Sequence, residues 1–504
     1  MPKSPLKLML CIPHQLVHFD GVNARPQVSL PLGILSMAAY LRAQEWTGSI
    51  DVYDARLSAR FSEVETPQGR RAIFGDDEAE MAARIVAVAP DVVGISNMFS
   101  AQFERALRTA EIVKEQLPDA IVVIGGPHAS VFPLDVLAHP AIDYVVVGEG
   151  EERLHALLRC IEIGEQPQIQ GVLGRAEDAG LLRKNPRVKI SFIKSVDDLP
   201  LPAYDMVDVE RYFELQANGF SPRTREWGRR AVTVITSRGC PHQCTFCSIQ
   251  ATMGYRWRPH SADYVRRHLR LLRERYAVDY LHFEDDNLTH DPARFDQLLD
   301  VFEEFSPSIP WDTPNGVRGD TWTLERVRRS KEAGCQHLVV AIESAVQRVL
   351  DHVVRKRLDL SQVDDLMRYT DQVGLRLMAF YVVGLPGERL EDIDTTFRYA
   401  LTRYFRYGVW PGMNLAVALP GTELHEIAER ENLRDSSLPY AANQITTSAF
   451  CPADIDIRYR RFQRLKLMIF VWRTFTSWRD LSYNLKLVWS YKSQALRELG
   501  KLLR

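Results

Sequence analysis

The chain has 504 residues, 46% of them hydrophobic and 25% charged, with a formal net charge of −2. That length allows two or three domains, and the composition is that of a soluble globular protein. Near-neutral charge gives no global field for nucleic acid, and no stretch approaches the ~18 uninterrupted apolar residues of a membrane span.

The N-terminus lacks a signal peptide's apolar core and small-residue cleavage site, so a cytoplasmic location is expected. Residues 1–165 alternate strands with helices. Apolar runs at 6–12, 50–53, 92–96, 121–124 and 144–147 read as strands, and helical periodicity covers 34–44, 78–88 and 103–116. This rhythm predicts an α/β domain with a doubly wound, mostly parallel sheet, whose ligands bind beyond the carboxyl ends of the strands. Gly125-Gly126-Pro127-His128 follows the fourth strand and Gly148-Glu149-Gly150-Glu151 the fifth. Such glycines either let backbone approach a ligand or simply make tight turns.

Residues 166–228, rich in Pro, Gly and charge, read as a linker. A second series of six βα units fills 229–425, with strands at 231–236, 280–284, 311–317, 337–342, 375–383 and 413–419. Helices are expected at 262–276, 293–305, 324–333, 360–373 and 390–404. Six units predict a partial barrel of the TIM type, with active-site residues at the carboxyl ends of its strands. Residues 426–504 form a mostly helical extension. From 458 onward it holds twelve Lys or Arg against two acidic residues, interleaved with Trp472, Trp478 and Trp489. Two readings stand: a helix on an anionic membrane or over a lipophilic substrate, or a helical cap with a solvated basic face, the reading preferred here.

The seven cysteines are too few and too uneven for a disulfide framework. Three of them, Cys240, Cys244 and Cys247, share one loop after the first barrel strand, spaced C-x3-C-x2-C. Thiolates are soft ligands that select iron–sulfur clusters or zinc. Zinc would need His242 or His260 as a fourth ligand, and zinc loops usually pair two ligands with a distant second pair. No good second pair is present. Three cysteines hold three corners of a 4Fe-4S cluster and leave one iron open. Cys335 reads as a packed core thiol.

This loop, with Phe246 before its last cysteine, resembles the signature of the radical S-adenosylmethionine superfamily. The resemblance implies that the open iron chelates S-adenosylmethionine, whose one-electron reduction yields a 5′-deoxyadenosyl radical, with an external reductant of flavodoxin or ferredoxin type. It also implies S-adenosylmethionine contacts from Phe246, from Glu284, Asp285 and Asp286 after the second barrel strand, and from Arg318, Glu343 and Gly384. The structural alternatives are an Arg318–Glu343 salt bridge and glycines that serve only the turn.

With the barrel behind it, the front domain resembles the Rossmann-like cobalamin-binding domain of the cobalamin-dependent branch. The matching segments are Pro31-Leu32-Gly33-Ile34, Val93-Gly94-Ile95-Ser96, and the two glycine clusters. Carried over, Ser96, Gly125, Gly126, Gly148, Glu149 and Gly150 contact the corrin tail. The D-x-H-x-x-G motif that supplies a lower cobalt ligand is missing after the first strand, where His14 and His18 are mis-spaced. The lower ligand stays open. The branch implies methylation of an unactivated carbon of a small-molecule substrate, with two S-adenosylmethionine molecules used per turnover. Its alternatives are oxidative ring closure, as in the anaerobic magnesium-protoporphyrin ester cyclase, or a radical enzyme whose front domain only binds a substrate or partner. The aromatic tail favours a hydrophobic or planar substrate.

Overall fold

The computed structural model describes residues 5–18, 26–66, 69–175, 190–220, 230–432 and 455–490. Cys451, the chain beyond 490 and parts of the stretches read as linker and extension lie outside the described residues.

The front domain contributes strands β1 (Lys7–Ile12), β2 (Gln15–His18), β3 (Ser49–Asp54), β4 (Phe61–Thr66), β5 (Gly69–Phe74), β6 (Val92–Ser96), β7 (Ile121–Gly125), β8 (Tyr144–Val146) and β9 (Val172–Gly174). Its main sheet runs β3-β1-β6-β7-β8-β9. The first five are parallel, as the alternating pattern predicts, and β9 is antiparallel at the edge. The chain leaves β1 outward to β3 and returns to β6 on the other side, which makes a topological switch point between β1 and β6. Register then aligns the carboxyl ends, pairing Ser96 with Gly125 and Gly125 with Val146.

Two features depart from the expected layout. A small antiparallel sheet, β2-β5-β4, stands beside the main one. Strand β9 lies in the segment read as linker, because its apolar Val172 and Leu173 bury against the edge of the front sheet. The described linker residues 190–220 are also packed rather than free. Tyr204 hydrogen-bonds His268 of the barrel at 2.9 Å, while Tyr212 donates to Asp54 of the front domain at 2.7 Å.

The second domain contributes β10 (Ala231–Val234), β11 (Ser237–Arg238), β12 (Arg258–Pro259), β13 (Tyr280–Phe283), β14 (Trp311–Asp312), β15 (Cys335–Glu343), β16 (Arg376–Val383) and β17 (Trp410–Leu415). Six of them form an open parallel sheet in chain order, β10-β13-β14-β15-β16-β17, the partial barrel. Side-chain N-caps start the intervening helices at Ser261, Asp291, Thr323 and Asp359. Strand β14 is shorter than its apolar pattern suggests. Pro314 has no N–H for the ladder, and the chain rejoins β15 only through Val317 and Val340. One hydrophobic core spans the barrel and includes Val28, Leu30, Leu35 and Phe74 of the front domain, so the two domains pack as a unit. The helix Ile455–Thr476 lies against the helix Leu390–Tyr407 and reaches β17, where Tyr459 donates to the Met413 carbonyl at 3.1 Å. No helix among the described residues is long and apolar enough to cross a membrane.

Candidate active site

The cysteine loop is closed at its base by a ribbon. Strand β11 pairs antiparallel with β12, aligning Arg238 with Arg258 and enclosing residues 239–257. Gly239 turns the chain out of β11 at φ +82°, where a Cβ would stand 2.4 Å from the Arg256 carbonyl oxygen. Asp286, beyond β13, accepts from the Gly239 amide at 3.0 Å. Thr245 donates its hydroxyl to Val353 O at 3.0 Å and its amide to Val354 O at 3.2 Å, which ties the loop to the segment after β15. Asn287 reaches the Cys240 sulfur at 3.9 Å.

Burial raises the pKa of all three thiols, that of Cys247 to about 12. Buried thiols with so little tendency to ionise suit a centre that supplies the positive charge itself. His260 faces Asp197 at 3.3 Å and stacks on Tyr264, and His242 lies edge-on to His290. The donor set therefore fits a cluster held by three cysteines better than zinc. Cys335 is buried in the barrel core, as expected of a packing thiol.

The other barrel residues singled out from sequence all sit at carboxyl ends of strands but do different things. Glu284 and Asp286 line a cavity, and burial lifts Asp286 to about 7. Asp285 is instead turned into the protein, where it accepts from the Thr236 amide and hydroxyl and from the Ser237 hydroxyl. These bonds prop the exit from β10. Arg318 and Glu343 do not pair with each other. Arg318 pairs with Asp320, and Glu343 with Lys356 at 2.8 Å, both members of the latter pair buried. Glu343 follows a register shift in β15 and has φ +74°, a bulge-like turn that re-aims its side chain. The Gly384 and Leu385 amides both donate to Glu388, whose carboxyl is pushed up by burial to about 7. Leu385 and Phe246 belong to one apolar cluster, so the aromatic of the cysteine loop and the turn after β16 are neighbours.

A cavity of about 370 Å³ joins the two domains. From the front sheet it is lined by Ser96, Gly125, Gly126, Gly148, Glu149 and Gly150, the whole set expected there. From the barrel come Thr233, Ser237, Arg238, Glu284 and Asp286. The glycines differ in what they serve. Gly126 is needed by the fold itself, with φ +107° and a Cβ that would lie 2.5 Å from Asn97 O. A Cβ on Gly33, at the start of the helix Leu32–Ala43, would meet nothing within 4 Å, and one on Gly125 nothing nearer than 3.7 Å. Both have no packing reason to be glycine, and both border the cavity, which is the bare rim a large cofactor requires. His14 is buried against the Asp76 carbonyl at 2.8 Å and is not among the lining residues.

Glu149 lines the cavity and is also held by the barrel. Its carboxylate accepts from Arg258 at 2.8 and 2.9 Å, from Arg238 at 3.1 Å and from the Ile193 amide at 2.8 Å. Glu151 accepts from Arg238 at 2.7 Å and from Ser36 at 2.8 Å. Burial favours the neutral acid at Glu151, yet the Arg238 charge and hydrogen bonds hold it below the ordinary carboxylate range. Sequence reasoning missed Arg238, Arg258 and Lys356 as site residues. The only available signal was that charged residues stand next to strand ends and the cysteine loop.

A cysteine-loop barrel that shares a cavity with a doubly wound front domain defines a radical enzyme with a second cofactor domain. The B12 binding domain profile matches residues 21–158, and that of the Radical SAM superfamily matches residues 234–400. The chain is 31% identical over 357 residues to the uncharacterized methyltransferase PH0819 of Pyrococcus horikoshii, covering 70% of this chain and 73% of that one. It is 29% identical over 402 residues to cytidylyl-2-hydroxyethylphosphonate methyltransferase of Streptomyces wedmorensis, covering 74% of each. The fold matches that of the radical S-adenosylmethionine methyltransferase TsrM of Kitasatospora setae, with TM-score 0.63 at 19% identity over 85% of this chain and 76% of that one. Anaerobic magnesium-protoporphyrin IX monomethyl ester cyclase of Rubrivivax gelatinosus is more distant, at 23% over 67% of this chain and 60% of that one. The chain belongs to the cobalamin-binding radical S-adenosylmethionine family, in its methyltransferase branch, and its cofactors are a 4Fe-4S cluster, S-adenosylmethionine and cobalamin.

Two outcomes are expected. Cys240→Ala, Cys244→Ala and Cys247→Ala each abolish S-adenosylmethionine cleavage and reduce bound iron after reconstitution, whereas Cys335→Ala leaves iron content unchanged. Gly33→Leu fills the open rim and lowers cobalamin retention about tenfold or more while sparing iron; equal retention by the variant contradicts the placement of the corrin there.

Proposed function

We propose that the protein transfers a methyl group to an unactivated carbon of a hydrophobic or planar small molecule. The observation that carries this reading is the single cavity bordered by both the glycine rim of the front domain and the barrel residues next to the cysteine loop. When bound, the cluster and S-adenosylmethionine supply a radical that removes hydrogen, and the corrinoid supplies the methyl group.

The protein's own part is placement and exclusion. Cys240, Cys244 and Cys247 hold the cluster. Glu284 and Asp286, with Arg318 and the Glu343–Lys356 pair, serve the charged end of S-adenosylmethionine. Phe246 and the Gly384 turn serve its adenosine. Ser96, Gly125, Gly126, Gly148 and Gly150 border the corrin. Glu149 and Asp285 act indirectly, by fixing the segments that carry these groups. The domain division is 1–165, 229–425 and 426–504, with 166–228 as the linker, of which the described residues 190–220 pack against both domains. The reductant is external, of flavodoxin or ferredoxin type, the location is cytoplasmic, and the C-terminal helices make peripheral contact with a membrane.

The reconstituted enzyme is given S-adenosylmethionine labelled in its methyl group together with a small-molecule extract. Methyl transfer predicts that 5′-deoxyadenosine and S-adenosylhomocysteine accumulate in about equal amounts, with the label divided between methionine and one methylated product. Deoxyadenosine without S-adenosylhomocysteine, alongside a product that has lost hydrogens or gained oxygen, would replace this reading with oxidative cyclisation.

A further inference from the structure

The helix Ile455–Thr476 is inverted relative to one that merely caps a barrel. Its inward stripe carries Phe462, stacked on Phe397 at 4.9 Å, but also Lys466 and Arg473, both buried. The Lys466 ammonium stands 5.0 Å from the Trp410 ring centre, a cation–π contact. Arg473 pairs with Asp480 at 2.8 Å and donates to the Phe405 carbonyl at 2.9 Å.

The outward stripe is apolar. Phe475 and Trp478 are each 79% exposed and Met468 is 67% exposed. Trp472 stacks on Phe405 at 4.6 Å, which leaves both rings about half in solvent. Residues 464, 468, 471 and 475 recur at the four- and three-residue steps that keep one helical face, and Trp478 opens the next helix beside them. Arg464 therefore continues the apolar stripe toward the N-terminus. Arg460, Arg461 and Arg464 are exposed and have no ion-pair partner among the described residues. Contiguous exposed apolar groups of this kind mark an interaction surface.

We propose that this face rests on an anionic lipid bilayer. The aromatic and aliphatic side chains enter the headgroup boundary, and Arg460, Arg461 and Arg464 meet the lipid phosphates. Charge selects this occupant. A second copy of the chain would bring the same cations and, along the exposed part of this helix, only the Asp456 carboxylate to meet them. No helix among the described residues is suited to span a membrane, so the contact lies in the plane of the interface. The surface deepens the peripheral contact proposed above and is independent of the methyl-transfer assignment.

The full chain is sedimented with vesicles of mixed phosphatidylglycerol and phosphatidylcholine and with vesicles of phosphatidylcholine alone. The ratio of bound to free protein should fall about tenfold or more from the anionic to the neutral vesicles. Phe475→Ser/Trp478→Ser and Arg460→Gln/Arg461→Gln/Arg464→Gln should each lower binding to the anionic vesicles by a similar factor. These side chains are exposed, so iron content and S-adenosylmethionine cleavage, assayed in the same samples, should be unchanged. Wild-type protein that stays in the supernatant with anionic vesicles overturns the proposal. So does a dimer in analytical ultracentrifugation that Phe475→Ser/Trp478→Ser dissolves, because it assigns the face to a second copy.

Discussion

Four charged side chains, two from each domain, meet in a nearly water-free junction. Glu149 comes from the loop after β8 and Glu151 from the start of the helix Glu151–Ile163, and Arg238 and Arg258 from the ribbon β11-β12. Burying such charges is costly, and net stability is rarely what such a cluster supplies. Removing one partner, however, strands a buried charge at about 3–5 kcal/mol. The cluster therefore enforces one arrangement of the two domains. Arg238 is followed directly by Gly239 and Cys240, so the contact that locks the front-domain loop also fixes the entry to the cysteine loop. The Ile193 amide donates to the same Glu149 carboxylate, which brings the connecting strap into the junction.

Topology explains why the junction falls beside the cavity. In both domains parallel strands deliver their loops at their carboxyl ends. The front sheet adds a switch point between β1 and β6, and the Ser96–Gly125 register places its bare rim there. The barrel presents the residues after β10, β11 and β13 to the same space. A large planar cofactor on one side and a small nucleoside cofactor on the other can then act on one substrate. Neither domain alone closes this cavity, which is why the shared hydrophobic core and the charged junction matter to the chemistry as well as to the fold.

Much of this was legible in the sequence where the signal is local. The spacing of Cys240, Cys244 and Cys247, the alternating strand and helix periods, and the glycines at strand ends each depend on a few neighbouring residues. What was not legible depends on residues far apart in the chain. Glu149 and Asp285 carry the right chemistry for ligand contacts, and only the fold shows their oxygens engaged by Arg258 and Thr236. Lys356 sits among Arg355 and Arg357 and looks like part of a solvated basic run, yet it is buried on Glu343. The antiparallel strands β4 and β5 are partly polar, with Ser62, Glu63, Glu65, Arg70 and Arg71 among their residues, which weakens their apolar signal. The C-terminal helix conceals its face for another reason, since cation–π and ion-pair contacts draw Lys466 and Arg473 inward while aromatic residues face out.

The most direct test of two cofactor pockets built into one site is metal analysis after anaerobic reconstitution with iron, sulfide and hydroxocobalamin, followed by desalting. The structure predicts about four irons and about one cobalt retained per chain. Iron retained without cobalt would contradict the shared site and leave the glycine rim of the front domain without its ligand.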